Sequence, residues 1–247
     1  MQEISLNNYN EMLRYERDMD QLRALALWIT LYEGDPPIPS LPRPREYVFE
    51  LIKFYAQDFA FEIMKNGSIS LDTVSRFHSS LFSINNLLGI TQADIVRASE
   101  QQRYRNSGFW EMRRVIGQFG DVAEAASRDK VTHIITAAVS GCIIGEYLGQ
   151  MMSREFQYPV PVDHMVFARS GIQPVRGYLP DHLSLSGGHI LIADDAIMET
   201  YTSRVMIAKI IEMNPQAAIS LMTIDIDPKT KESGYLDQFA HVYTFDE

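Results

Sequence analysis

The chain carries a single cysteine, Cys142. One thiol cannot close an internal disulfide, so the signature of a small oxidised scaffold is absent. No uninterrupted apolar run reaches the ~20 residues that a bilayer-spanning helix needs. Residues 1–11 are polar, with no basic-then-apolar leader, so a cytoplasmic location is the expectation. Basic residues are outnumbered, 22 Lys and Arg against 32 Asp and Glu, for a formal net charge of -10. A surface of that sign argues against a broad grip on nucleic acid or on an anionic membrane. It leaves room for a local basic pocket around a phosphate. There is no internal repeat and no low-complexity segment.

What is present is ordinary for a globular chain. The 247 residues are 46% hydrophobic and 22% charged, enough for a sizeable core without staples. The two parts of the chain follow different periods. Up to about residue 127 the apolar spacing is helical; from about 128 onward short apolar runs alternate with helices.

In the first part, Met12, Tyr15, Met19, Leu22, Leu25, Ala26 and Ile29 form one stripe over residues 8–32. A stripe this apolar predicts self-association through its first half, Met12 to Leu22, or packing inside its own subunit. Five prolines between residues 36 and 44 end it and mark a linker. A second helix is expected over 45–65, stopped by Asn66-Gly67, and a third over 71–88, stopped by Gly89. Thr91 with Asp94 has the look of a capping box opening a fourth, and a further helix is expected over 108–127.

In the second part, strands are expected at 131–139, 164–169, 189–194, 217–226 and 241–245, with helices over 142–152 and 202–213. Near-continuous apolar strands separated by helices predict an α/β fold: a parallel sheet covered on both faces, preceded by an all-α region. The expected division is a helical region at 1–127 and an α/β domain at 128–247.

Parallel sheets bind ligands beyond the carboxyl ends of their strands. The strand at 189–194 ends in Asp194-Asp195 and runs into a hydroxyl-rich loop before a helix. Two carboxylates leaving a buried strand can hold paired hydroxyls, or a metal through water. A loop of Thr and Ser at a helix N-terminus can hold a phosphate. Diol plus phosphate describes a ribose 5-phosphate.

On these residues the chain resembles the type I phosphoribosyltransferase family. The stretch His-Ile-Leu-Ile-Ala-Asp-Asp-Ala-Ile-Met-Glu-Thr-Tyr-Thr at 189–202 is similar to that family's apolar strand, acidic pair and phosphate loop. Ala-Ala-Val-Ser-Gly at 137–141 stands where the family's pyrophosphate loop does, and Phe-Ala-Arg-Ser-Gly at 167–171 resembles the strand end that carries a basic residue. The resemblance implies that Asp194 and Asp195 bind the ribose hydroxyls of phosphoribosyl pyrophosphate, with magnesium held through the ligand or water. It implies that Glu199, Thr200, Tyr201, Thr202 and Ser203 surround the 5-phosphate. Ala138, Val139, Ser140 and Gly141 would face the pyrophosphate. Arg169, and Arg176 in a mobile loop at 172–186, would close over the reacting bond. The implied activity is glycosyl transfer to a nucleobase or similar acceptor. The other reading is a catalytically weak or inactive nucleotide-binding module acting through its helical half. Two positions depart from the family pattern: no glycine stands in the phosphate loop, and Ser170 follows Arg169 in place of lysine.

Other candidates are weaker. The histidines at 78, 133, 164, 182, 189 and 241 show no His-x-x-x-His spacing, and those on strands read as packing residues. Cys142 opens a helix, where a thiol can be activated, but without triad partners it reads as a small packing residue. Asp225 and Asp227 end a strand and either face the base-binding region or simply close the strand. Residues 45–102 bear a slight resemblance to all-α nucleoside triphosphate pyrophosphohydrolases, through Leu-Leu-Gly-Ile-Thr-Gln-Ala-Asp at 87–94 and Arg-Tyr-Arg-Asn-Ser-Gly-Phe at 103–109. At the positions of their metal-binding acids only Asp58 is acidic, and Asp58 with Glu62 could share a cation. The helical half therefore reads as a structural or dimerising layer.

Overall fold

The computed structural model describes residues 9–29, 44–89, 91, 93, 108–170, 173–185, 188–198 and 200–245. The linker around 36–43 and the helix expected after Thr91 lie outside the described residues.

The helical half contains α1 (Tyr9–Trp28), α2 (Pro44–Asn66), α3 (Leu71–Leu88), α4 (Gly108–Val115) and α5 (Phe119–Arg128). Gly67 ends α2 as its sequence predicts. It adopts φ 66, a conformation costly for a residue with a Cβ, and its N–H bonds back to Ile63 O at 2.8 Å. Ser70 then caps α3, its hydroxyl accepting from Thr73 N–H at 3.2 Å. The helix expected over 108–127 is broken by a 3-10 turn at Ile116–Gln118.

The first stripe packs inwards. Met19, Leu22, Leu25 and Ile29 are fully buried, and α1 lies against α2 and α3. For Met19 and Leu22 the structure follows the second of the two expectations, packing inside the subunit. The side chains of Met12 and Tyr15 lie outside the described residues. The buried Asp18 carboxylate faces His78 Nδ1 at 3.0 Å, tying α1 to α3.

The second half is an α/β sheet of strands β1 (His133–Ala137), β2 (Val162–Ser170), β3 (Gln173–Tyr178), β4 (His189–Ile197), β5 (Ala218–Ile226) and β6 (Val242–Tyr243). Their order across the sheet is β3-β2-β1-β4-β5-β6. All pairings are parallel except β2 with β3. The helices are α6 (Cys142–Glu155), α7 (Tyr201–Met213) and the short α8 (Pro228–Glu232). β1 and β4 carry Ile134, Ile135, Leu191 and Ile192, all fully buried, as expected for strands covered on both faces.

One expectation fails. The stretch read as a mobile loop contains β3, with Ala168 opposite Arg176 and Val166 opposite Tyr178. Pro174 and Gly177 weaken the strand signal in sequence, but both are tolerated on an edge strand. Gly177 also packs closely, since a Cβ there would lie 2.3 Å from Met165 Sδ.

Both halves share one hydrophobic core, which runs from Met19 and Phe59 through Phe119 and Leu148 to Phe245. A second cluster on the opposite face of the sheet joins Ile135, Phe167, Ile192, Met206 and Leu221. Among the described residues no helix is long and apolar enough to cross a membrane.

Candidate ligand site at the ends of the first and fourth strands

β1 and β4 are neighbours, yet the chain leaves β1 towards β2 on one side and leaves β4 towards β5 on the other. A crevice opens beyond the carboxyl ends of strands at such a reversal. Two predicted segments meet there. After β1 the chain turns through residues 138–141, with a cis peptide between Ala138 and Val139. Gly141 N–H closes the turn on Ala137 O at 2.8 Å. A Cβ on Gly141 would lie 2.6 Å from Ala193 O, so only glycine lets this turn rest against β4. That contact brings Ser140 Oγ within 3.0 Å of Asp194 Oδ1, to which it donates.

Asp194 and Asp195 are 4% and 3% exposed. Asp194 Oδ1 also accepts from Asp195 N–H at 3.0 Å. Asp195 Oδ2 is buried with no hydrogen-bond partner among the described residues. Burial raises the pKa of both, and the adjacent carboxylate of Asp195 pushes Asp194 well above the usual range. Burial and a like-charged neighbour both disfavour the ionised form of these carboxyls. A diol or a cation would relieve that repulsion by supplying hydrogen-bond donors or positive charge.

The predicted phosphate loop lies partly outside the described residues, at Glu199. Thr200 precedes α7, and its hydroxyl accepts from Arg204 Nε at 2.9 Å. The Arg204 guanidinium stands 5.1 Å from the Tyr235 ring centroid. Ser203 is fully buried and bonded to Thr200 O at 3.1 Å and Tyr235 Oη at 2.7 Å, so it holds the start of α7 rather than facing the crevice. Tyr201 is exposed and Thr202 half-buried. Sequence reasoning missed Arg204. Its signal was a basic residue in the first turn of a helix, where the dipole disfavours a cation unless an anion comes near.

The remaining candidates fall elsewhere. Arg176 is exposed on β3 and lies 5.4 Å over Tyr178. Arg169 lies on β2, but its side chain is outside the described residues. Asp225 pairs with Arg114 of α4 at 2.9 Å, so the helical half reaches the end of β5. Asp227 caps α8, accepting from Lys229 N–H at 3.0 Å and Thr230 N–H at 3.3 Å. The strand histidines have partners: His133 faces Asp163 at 2.8 Å, His164 faces Thr136 at 2.6 Å, and His189 faces Ser220 at 2.7 Å. Cys142 is buried at the head of α6. Glu62 is taken by Ser70 and Thr73, and Asp58 faces Arg76 at 3.6 Å. Among the described residues no three His, Cys, Asp or Glu side chains form a metal-binding group.

The sequence matches no protein-family model and no curated protein. Three solved structures to which the chain is similar are phosphoribosyltransferases. A purine phosphoribosyltransferase from Pyrococcus horikoshii Ot3 shares 18% identity, over 52% of this chain and 80% of that one, with a TM-score of 0.36. An adenine phosphoribosyltransferase shares 16%, over 54% and 78%, with a TM-score of 0.39. A hypoxanthine-guanine phosphoribosyltransferase from L. donovani shares 15%, over 60% and 83%, with a TM-score of 0.38.

Proposed function

We propose that the chain binds phosphoribosyl pyrophosphate at this crevice and transfers its phosphoribosyl group to a nucleobase or similar acceptor. The observation that carries the reading is the buried Asp194-Asp195 pair, joined by Ser140 to the turn after β1, at the topological switch of a parallel sheet. Asp194 and Asp195 accept from the two ribose hydroxyls and stabilise the positive charge that develops at the anomeric carbon. In the turn at 138–141 the N–H groups of Ala138 and Gly141 are taken by Met165 O and Ala137 O, so those of Val139 and Ser140 serve the departing pyrophosphate. Glu199, Thr200, Tyr201, Thr202 and Arg204 flank the 5-phosphate. Arg169 lies on β2, next to β1, and Arg176 on the edge strand β3 beyond it. No protein nucleophile is needed, since positioning and electrostatics carry such a transfer.

The resemblance also implies magnesium. The hard oxygens of Asp194 and Asp195, one of them without a partner, suit it. Two carboxylates are too few to cage the ion, so ligand phosphates or water would complete its shell. When bound, it would neutralise charge on the leaving pyrophosphate.

A non-catalytic nucleotide-binding module is the second reading. It is favoured by the loop without glycine and by the Arg114–Asp225 contact, through which the helical half could sense occupancy. Calorimetry with phosphoribosyl pyrophosphate, followed by a pyrophosphate-release assay with purine and pyrimidine bases, tests both. Binding with turnover supports the transferase, binding without turnover supports the module, and no binding overturns both.

A further inference from the structure

α2 is buried on one side by Val48, Ile52, Tyr55, Phe59 and Ile63. On its other side Tyr47, Phe54 and Phe61 are 40%, 55% and 43% exposed. Their spacing of seven residues puts the rings in one row along the helix. A soluble chain gains nothing from three aromatic rings in water, and such rows mark contacts with another molecule.

The row is charged at its two ends with opposite signs. Near its start stands Glu50, 55% exposed, with His182 Nε2 at 3.4 Å. Near its end Lys65 Nζ and Arg154 Cζ lie 5.9 and 5.6 Å from the Phe61 centroid. The charges between are already paired, Lys53 with Asp163 at 3.0 Å and Asp58 with Arg76 at 3.6 Å. Such a face complements its own reverse. A two-fold axis crossing α2 between Gln57 and Asp58 sets Phe54 of each copy against Phe61 of the other. It also sets Glu50 against Lys65. Beside the row lies a groove of about 570 Å³, with Phe54, Gln57 and Phe61 on one wall and Pro159, Val160 and Pro161 on the other, open to receive a ring from a second copy.

We propose that the chain forms a two-fold homodimer in which α2 packs antiparallel on α2 of a second copy. The occupant is another copy rather than a membrane or a basic partner, because acid stands at one end of the row and base at the other, so each end meets its opposite on an antiparallel second copy. This surface is independent of the crevice at Asp194 and of what binds there.

Sedimentation of the full chain tests it. The natural protein runs as a dimer at about 50 µM, and Phe54→Ser with Phe61→Ser, both at exposed positions, yields a folded monomer. Glu50→Lys places lysine against Lys65 at both symmetry-related contacts, and Lys65→Glu places acid against acid. Each alone weakens dimerisation by about tenfold. Mixing the two single variants restores it, because both contacts in the mixed dimer are then of opposite sign. A natural protein that is monomeric at that concentration overturns the proposal, whatever else the face binds. So does a dimer unmoved by the serine changes, or a mixture no tighter than its components.

Discussion

Lys53 Nζ, on a helix of the N-terminal half, lies 3.0 Å from Asp163 Oδ1 on β2. The other oxygen of that carboxylate faces His133 Nε2 at 2.8 Å. Burial works against the charge on Asp163, but His133 and Lys53 outweigh it and hold the carboxyl below its usual range. This stabilisation is present above pH 3.8, the unperturbed value, and is lost as pH falls through the depressed one. Lys53→Met leaves a buried carboxylate with one partner fewer. It should lower unfolding free energy by about 1–3 kcal/mol at neutral pH. Denaturant titration of both proteins measures it, and an unchanged midpoint would contradict the role given to this pair.

The acidic pair in the crevice has the opposite sign. Asp194 and Asp195 are raised in the folded state, so the native protein binds more protons than the unfolded chain as pH rises above 3.8. Their contribution to stability is therefore lost with increasing pH. Asp194→Asn keeps an acceptor for Ser140 and removes one of two like charges. It should stabilise the ligand-free protein by about 1 kcal/mol near pH 7. Melting curves across pH check the sign.

Ribose phosphates should raise the melting temperature of the natural protein and not that of Asp195→Asn. At one hundred times its dissociation constant a ligand adds about 2.7 kcal/mol. Equal shifts in both proteins would remove the pair from the site.

The loop after β4 should bind phosphate weakly. A carboxylate at position 199 placed about 4 Å from a phosphate costs about 4 kcal/mol at an effective dielectric of 20. Glu199→Thr with Thr200→Gly should tighten binding of phosphoribosyl pyrophosphate by about tenfold or more, and Arg204→Ala should weaken it by about tenfold. Calorimetry on the three proteins decides, and an unchanged affinity in both variants would show that the phosphate lies elsewhere.

On the alkaline side the buried His164 matters. Burial alone would lower its pKa, but the Cys142 sulfur and the Glu146 carboxylate outweigh burial and lift the imidazole to about 10. Its stabilisation is complete below pH 6.5, the unperturbed value, and is lost as pH rises through about 10. Glu146→Gln should flatten that decline. Urea unfolding at several pH values would show it.

The strands around the crevice were legible because β1 and β4 are nearly unbroken apolar runs, and Asp194-Asp195 interrupts one of them abruptly. β3 was not, since Pro174 and Gly177 hide a strand whose pairing is set by β2 alone. The row on α1 was seen, but its destination was not: Met19 and Leu22 are covered by α2 and α3, which no spacing along α1 can reveal. Lys53, Asp163 and His133 lie on three elements: the register of β1 on β2 brings His133 to Asp163, and the packing of α2 on β2 brings Lys53, neither of which is local. Arg204 was passed over because its contact with Tyr235 joins residues far apart in the chain. The row on α2 was hidden by the helix's buried face, which shares its composition.

One core joins Met19 and Phe59 of the helical half to Leu148 and Phe245 of the α/β half. A fragment beginning at β1 would bare the apolar faces of α6 and β2, and one ending at α5 would strand the inner face of α2. Heating the full chain should therefore give a single calorimetric transition, and proteases should spare the junction near residue 128 while the fold stands. For anyone wishing to borrow the sheet and its Asp194-Asp195 pair as a scaffold, the helices would have to travel with it.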